Sequence, residues 1–126
     1  MEFIGQKAIY LQIVDYICEQ ILKKEKQEGD RIASIRELAV SIEVNPNTVV
    51  RSYAYLEEHQ IIVKQRGVGY FIAEGAYHRT VKLKKDYFLK QELPEVFKTM
   101  SLLNVELQEL QTLYMSHHKG GQDENK

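Results

Sequence analysis

One stretch constrains this chain more than any other. It is SIRELAVSIEVNPNTVVRSYAYLEEHQIIVKQRGVGYFI, from Ser34 to Ile72. Ser34 is followed three residues later by Glu37, the reciprocal capping pair that satisfies two backbone N–H groups at a helix start. Ile35, Leu38, Ala39 and Ile42 then fall on one face, and the small Ala39 admits a second helix at close range. That helix is expected to stop near Glu43, with Val44 filling the space before the next one. Asn45 and Pro46 signal a new start, because a proline at the first helical position lacks an N–H that would have no partner there. Val49, Tyr53 and Leu56 form the inner face. Asn47, Thr48, Arg51, Ser52 and Tyr55 are assigned to the outer one.

Behind these helices come two β-prone runs, Ile61 to Gln65 and Tyr70 to Ile72, joined by Arg66-Gly67-Val68-Gly69. Two short helices across a tight turn, followed by a glycine-bearing hairpin, are the order of a winged helix-turn-helix. An outer face that opens with polar groups and an arginine suits a major groove. A hairpin tip carrying Arg66 and Gly67 suits a phosphate backbone or a minor groove. Gly67-Val68-Gly69 is not a nucleotide-binding loop, since the full G-x-G-x-x-G pattern and its strand-then-helix context are missing.

Bulk charge does not support this reading. The 126 residues carry a net charge of −1, and residues 1–77 hold nine Lys and Arg against eleven Asp and Glu. Recognition must therefore rest on a few placed groups and not on a basic surface. A winged-helix module that binds protein instead of DNA is the competing reading. An enzyme has no support: the H-E-x-x-H, P-loop, G-x-S-x-G and Cys/His metal patterns are all absent, and the His117-His118 pair is read as chance. No metal or cofactor is expected. The single Cys18 fits a reducing compartment and lies on an apolar helix face, where it reads as a small buried hydrophobe. With no apolar run of membrane-spanning length and no secretion signal at Met1 to Ile13, the expected location is the cytoplasm, with no membrane partner.

The flanks complete the expectation. An apolar stripe of Tyr10, Ile13, Val14, Ile17, Cys18, Ile21 and Leu22 predicts a first helix over Ala8 to Lys24, and Glu28-Gly29-Asp30 a turn. Ala73 to Thr80 reads as a connector, with helix from Val81, a kink or restart at Pro94 and a left-handed stop at Asn104. A last helix follows, and a disordered tail is expected over 117–126. The predicted organisation is mainly α with a small β-hairpin: a DNA-binding domain over 1–77, then a two-helix dimerisation segment over 78–116. Two such helices cannot bury their own apolar faces. Leu93, Val96, Phe97, Met100, Leu103, Leu107, Leu110 and Tyr114 are the candidate dimer contacts. A homodimer would set two reading helices about one DNA turn apart and predicts a palindromic operator.

These pieces resemble the GntR family of bacterial transcription regulators. The match runs through IYLQI at Ile9 to Ile13, GDRIASIRELA at Gly29 to Ala39, VNPNTVVRSYAYLE at Val44 to Glu57, and RGVGYFI at Arg66 to Ile72. The short helical remainder is similar to the YtrA subfamily, which dimerises through two C-terminal helices and lacks a large effector domain. The resemblance implies a regulator of transcription, expected to be a repressor. It implies that Arg36 contacts bases and that Ser34 and Thr48 face phosphates. Asn47 would open the reading helix, Arg51 would match an arginine of the subfamily's TV-x-R-A-Y string, and Arg66 with Gly67 would form the wing tip. Arg36 and Arg51 are together expected to set base preference. Two departures stand out. Ile32-Ala33 replaces the usual Leu-Pro before the capping serine, and Val50 replaces an arginine found in some branches. A pocket between paired C-terminal helices could hold a small-molecule effector, and no residue pattern identifies one.

Overall fold

The computed structural model describes residues 7–124, with side chains as far as 118. The chain divides into two compact units, the first ending at Lys84 and the second beginning at Lys85. This division falls later than the expected boundary at 77, within a helix.

The first unit is built on the expected stripes. Helix α1 spans Ile9–Leu22 and buries Ile13, Val14, Ile17, Cys18 and Ile21. Helix α2 spans Ile35–Ile42 and α3 spans Pro46–Glu58. Both α1 and α2 pack on α3, whose Val49, Tyr53 and Leu56 are buried. Glu43 ends α2 in the left-handed region at φ 57°, and Val44 is half-buried against the core, as the turn requires. Strands β2 (Ile62–Gln65) and β3 (Gly69–Ile72) form the hairpin. Their register pairs Gln65 with Gly69, which leaves Arg66, Gly67 and Val68 as the tip.

The sheet has one strand more than the hairpin alone. Arg31–Ile32 forms β1, which pairs antiparallel with β3 at Arg31–Phe71 and Ile32–Tyr70, so the order is β1-β3-β2. An isolated two-stranded hairpin is marginal in water, and the added strand ties this one to the start of α2. Tyr53 strengthens the same junction. Its hydroxyl donates to the Ala33 carbonyl at 2.6 Å, and its ring meets Tyr70 edge-on at 4.8 Å. The Ile32-Ala33 departure is thereby held by strand pairing and a buried phenol instead of by a proline.

Helix α4 spans Ala76–Tyr87, so Ala76 to Thr80 is helical and not part of a connector. The buried residues there, Ala73, Ala76 and Thr80, are small, and the one large apolar residue beside them, Tyr77, packs on the core only in part. Lys84 pairs with Asp15 of α1, which also pairs with Lys7, and Arg79 donates to the Gln60 carbonyl at 3.0 Å.

In the second unit a π-helical turn, Phe88–Glu92, leads into α5, Leu93–Leu103. Pro94 lies in the first turn of α5, where the sequence places a restart. A proline cannot donate to the preceding turn and clashes with the carbonyl four residues back, and the widened turn accommodates both effects. Asn104 closes α5 at φ 57°, the expected left-handed stop. Helix α6 spans Leu107–Glu124 and opens with the Glu106 amide donating to Glu109 Oε2 at 3.0 Å. The backbone thus stays helical through most of the expected tail. Among residues 117–119, no proline or β-branched side chain opposes the helix, and His118 stacks on Tyr114 one turn earlier. Among the described side chains from Lys85 onward, none is buried.

Candidate nucleic-acid interface

The interface begins at the start of α2. Ser34 Oγ accepts the Glu37 amide at 3.0 Å, and Glu37 Oε1 accepts the Ser34 amide at 3.1 Å. These bonds hold the Glu37 carboxyl below the usual carboxylate range, first through the Ser34 backbone and then through its side chain. Glu37 is therefore committed to the cap. Arg36, next to it, is exposed and makes no hydrogen bond or ion pair among the described residues. A free guanidinium at the front of α2 can offer its fork to a guanine edge or a phosphate.

Helix α3 begins with the Asn45 side chain accepting the Asn47 amide at 2.8 Å. The Asn47 side chain stays exposed, and Thr48 is half-buried at the rim. Arg51 is exposed, but it is not directed straight outward. Its guanidinium carbon lies 3.9 Å from the centroid of the Tyr10 ring on α1. Ala8 to Tyr10 with Asn45, Asn47, Thr48 and Arg51 line an open groove of about 420 Å3 between the starts of the two helices.

Ser52 is a correction. It was expected to face DNA, yet it is fully buried. Its hydroxyl lies 2.8 Å from the Tyr10 carbonyl and 3.1 Å from the Thr48 carbonyl. A small hydroxyl at a close helix crossing satisfies itself on neighbouring backbone and leaves no group for a ligand. Tyr55 is likewise half-buried, with its ring 4.5 Å from His59. The outward ridge of α3 is instead Asn47, Val50 and Ala54, with Arg51 exposed beside it and leaning toward α1.

The hairpin tip carries Arg66, exposed, and Gly67 at φ 76° with open space around it. Gly69 adopts φ 143°, and a Cβ there would come 3.1 Å from Arg31 Nε. Arg31 of β1 thus lies over the base of the wing, a basic group that the sequence pattern did not single out. Tyr10 is the second. Its place in an apolar stripe marked it as core, and only the fold brings it under Arg51.

The eight candidate dimer contacts lie in the second unit. Leu93, Met100 and Leu110 are half-buried; Val96, Phe97, Leu103, Leu107 and Tyr114 are exposed. Leu103 and Leu107 show 68% and 70% of their surface to solvent.

Comparison with known proteins supports the same assignment. The model of the bacterial regulatory proteins of the gntR family matches residues 9–72. The chain is 37% identical to the uncharacterized HTH-type transcriptional regulator YhcF of Bacillus subtilis (strain 168), over 95% of this chain and 98% of that one. It is 38% identical to the HTH-type transcriptional repressor YtrA of the same bacterium, over 81% of this chain and 78% of that one. A crystal structure of a GntR-family transcriptional regulator from Bacteroides thetaiotaomicron superposes with a TM-score of 0.74 at 40% identity, covering 90% of this chain and 99% of that one. These relatives are regulators and not enzymes. No helix among the described residues is long and apolar enough to cross a membrane. The capped α2, the Asn45-Pro46 start of α3 and the glycine-tipped wing are therefore the DNA-binding winged helix of a transcription regulator, and the chain belongs to the gntR family, in its YtrA-like branch.

Proposed function

We propose that this regulator binds a palindromic DNA operator as a homodimer and represses the adjacent gene. The carrying observation is the uncovered apolar surface of α5 and α6, where large side chains from Val96 to Tyr114 remain exposed. Water-exposed leucines at this density mark an interface, and two-fold pairing is the commonest way to cover one. The repressor role is supported by the 38% identity to YtrA, which is described as a repressor.

Within each half-site, Arg36 reads a base edge, Ser34 and Thr48 contact phosphates, Asn47 opens the reading helix, and Arg66 with Gly67 sets the wing against the backbone. Light scattering and gel shift test the reading together. The expected result is a dimer at micromolar concentration that prefers a two-fold duplex to either half-site alone. A monomer that binds half-sites independently would overturn it. Arg36→Ala should weaken operator binding by about 1–3 kcal/mol and relax base preference at one position per half-site.

A further inference from the structure

We infer that Arg51 clamps a DNA phosphate from a seat on Tyr10, leaving base reading on α3 to Asn47, Val50 and Ala54. This rests on the reading that the chain binds double-stranded DNA. It differs from the sequence-based expectation, in which Arg51 reads bases beside Arg36.

Three observations carry it. The first is direction. Arg51 leaves the outward ridge of α3 and lies over Tyr10 at 3.9 Å, on the side where α1 flanks the reading helix. A helix in the major groove presents its outward ridge to the bases and its flanks to the two sugar-phosphate walls. The second is anchoring. Ser52, one residue on, bonds the Tyr10 carbonyl at 2.8 Å from a fully buried position, so the start of α1 is fixed to α3 where the ring must sit. Tyr10 is half-buried, and its ring is positioned by backbone it does not control. The third is the company Arg51 keeps. The groove it closes also carries Thr48, a hydroxyl at its rim, and among the described residues no acidic side chain lines it. An aromatic face under a guanidinium takes up one surface of the fork and leaves N–H groups for a bidentate phosphate contact.

Tyr10 is then a positioning residue that acts through Arg51. The ring fixes the arginine before DNA arrives and reduces the side-chain freedom lost on binding. Val50 and Ala54 gain a role from the same geometry. Small apolar groups on the ridge can meet thymine methyls, and neither competes with Arg51 for space.

The test uses the full chain and an operator selected from random duplexes by the wild-type protein. Affinities for that operator and for single-base variants of it are measured at several salt concentrations, with circular dichroism confirming the fold of each variant. Arg51→Ala should lower affinity about tenfold on all these duplexes alike and reduce the log–log salt slope by about 0.9, the value of one phosphate contact. Tyr10→Leu should lower affinity about threefold with the same lack of base selectivity, whereas Tyr10→Phe keeps the wild-type value because the ring face is retained. With Arg51 already alanine, Tyr10→Leu should add nothing. The assignment is overturned if Arg51→Ala relaxes preference at one operator position while the salt slope stays unchanged. Equal, additive losses from the two sites would also overturn it, and Arg51 measures the proposal even if Tyr10→Leu does not fold. Selection of no duplex by the wild type would instead remove the DNA-binding reading beneath it.

Discussion

The two units of this chain use apolar residues in opposite ways. The first closes a core from short elements: Ile13, Cys18, Val49, Leu56 and Ile61 are fully buried between α1, α3 and the sheet. The second leaves Leu102, Leu103, Leu107 and Leu113 at least 66% exposed. Similar side chains thus complete one fold and leave the other uncovered. In the proposed function, the first unit supplies the reading groups and the second a surface for another copy. Specificity and valency are separate properties of the sequence, and they should fail separately.

The largest effect should come from charging the uncovered face. Full burial of a leucine is worth on the order of 1.5–3 kcal/mol, and a carboxylate in the same place would have to be desolvated. Leu103→Glu combined with Leu107→Glu should leave a monomer by light scattering, with affinity for the full operator down by about 100-fold as the second half-site contact is lost. Melting of the first unit should be unchanged. A variant that remains a dimer would separate these two leucines from the interface.

Paired truncations sharpen the contrast. Tyr53→Ala removes a buried ring, its bond to Ala33 and its contact with Tyr70, and should cost about 3–5 kcal/mol of stability by denaturant titration. Phe97→Ala, measured at a dilution where the chain is monomeric, should change stability by only about 0.5 kcal/mol, because the ring is half exposed there. Equal costs would mean that α5 is covered within a single chain.

The same contrast explains what could be read in advance. The starts of α2 and α3 were legible to the residue because Ser34, Glu37, Asn45 and Pro46 act locally, on their own backbone. The wing tip was legible because Gly67 adopts a positive φ in a three-residue loop. What escaped depends on partners distant in sequence. A two-residue strand such as β1 has no periodicity to detect. The start of α4 rests on small residues, Ala73, Ala76 and Thr80, fitted to a core assembled elsewhere. Ser52 looked like an outward polar group until the Tyr10 carbonyl, 42 positions earlier, supplied its acceptor. The Arg51–Tyr10 contact was hidden for the same reason. Charge counting was uninformative, because net charge does not record that Arg36 is unpaired among the described residues while Asp15 is held by Lys7 and Lys84.

A smaller effect tests whether the local caps are as independent as their geometry suggests. Ser34→Ala removes the acceptor for the Glu37 amide and should cost about 1 kcal/mol. The paired carboxylate gives this a pH signature. Folding lowers the Glu37 pKa, so its contribution is present above the ordinary carboxylate value and is lost as pH falls through the lowered one. The melting temperatures of wild type and Ser34→Ala should therefore converge in acid. A constant gap down to the acid limit would show that the serine acts without the carboxylate.

The smallest effect at neutral pH concerns Cys18, which tests how well the first unit's core is sealed. Burial pushes its thiol from 9.0 up to about 11, with Lys84 opposing that shift and Asp15 adding to it. The raised value means the folded state disfavours the thiolate. Its contribution to stability is therefore complete below pH 9.0 and declines as pH rises toward about 11, where both states ionise. Near neutrality the thiol is protonated and enclosed, so a thiol reagent should modify it only at the rate of unfolding. Cys18→Ala should lower stability through a small cavity and flatten the alkaline slope between those two values. The contrast between the units would be broken if the folded protein reacted as fast as the unfolded chain, since the core at Cys18 would then be as open as the face of α6.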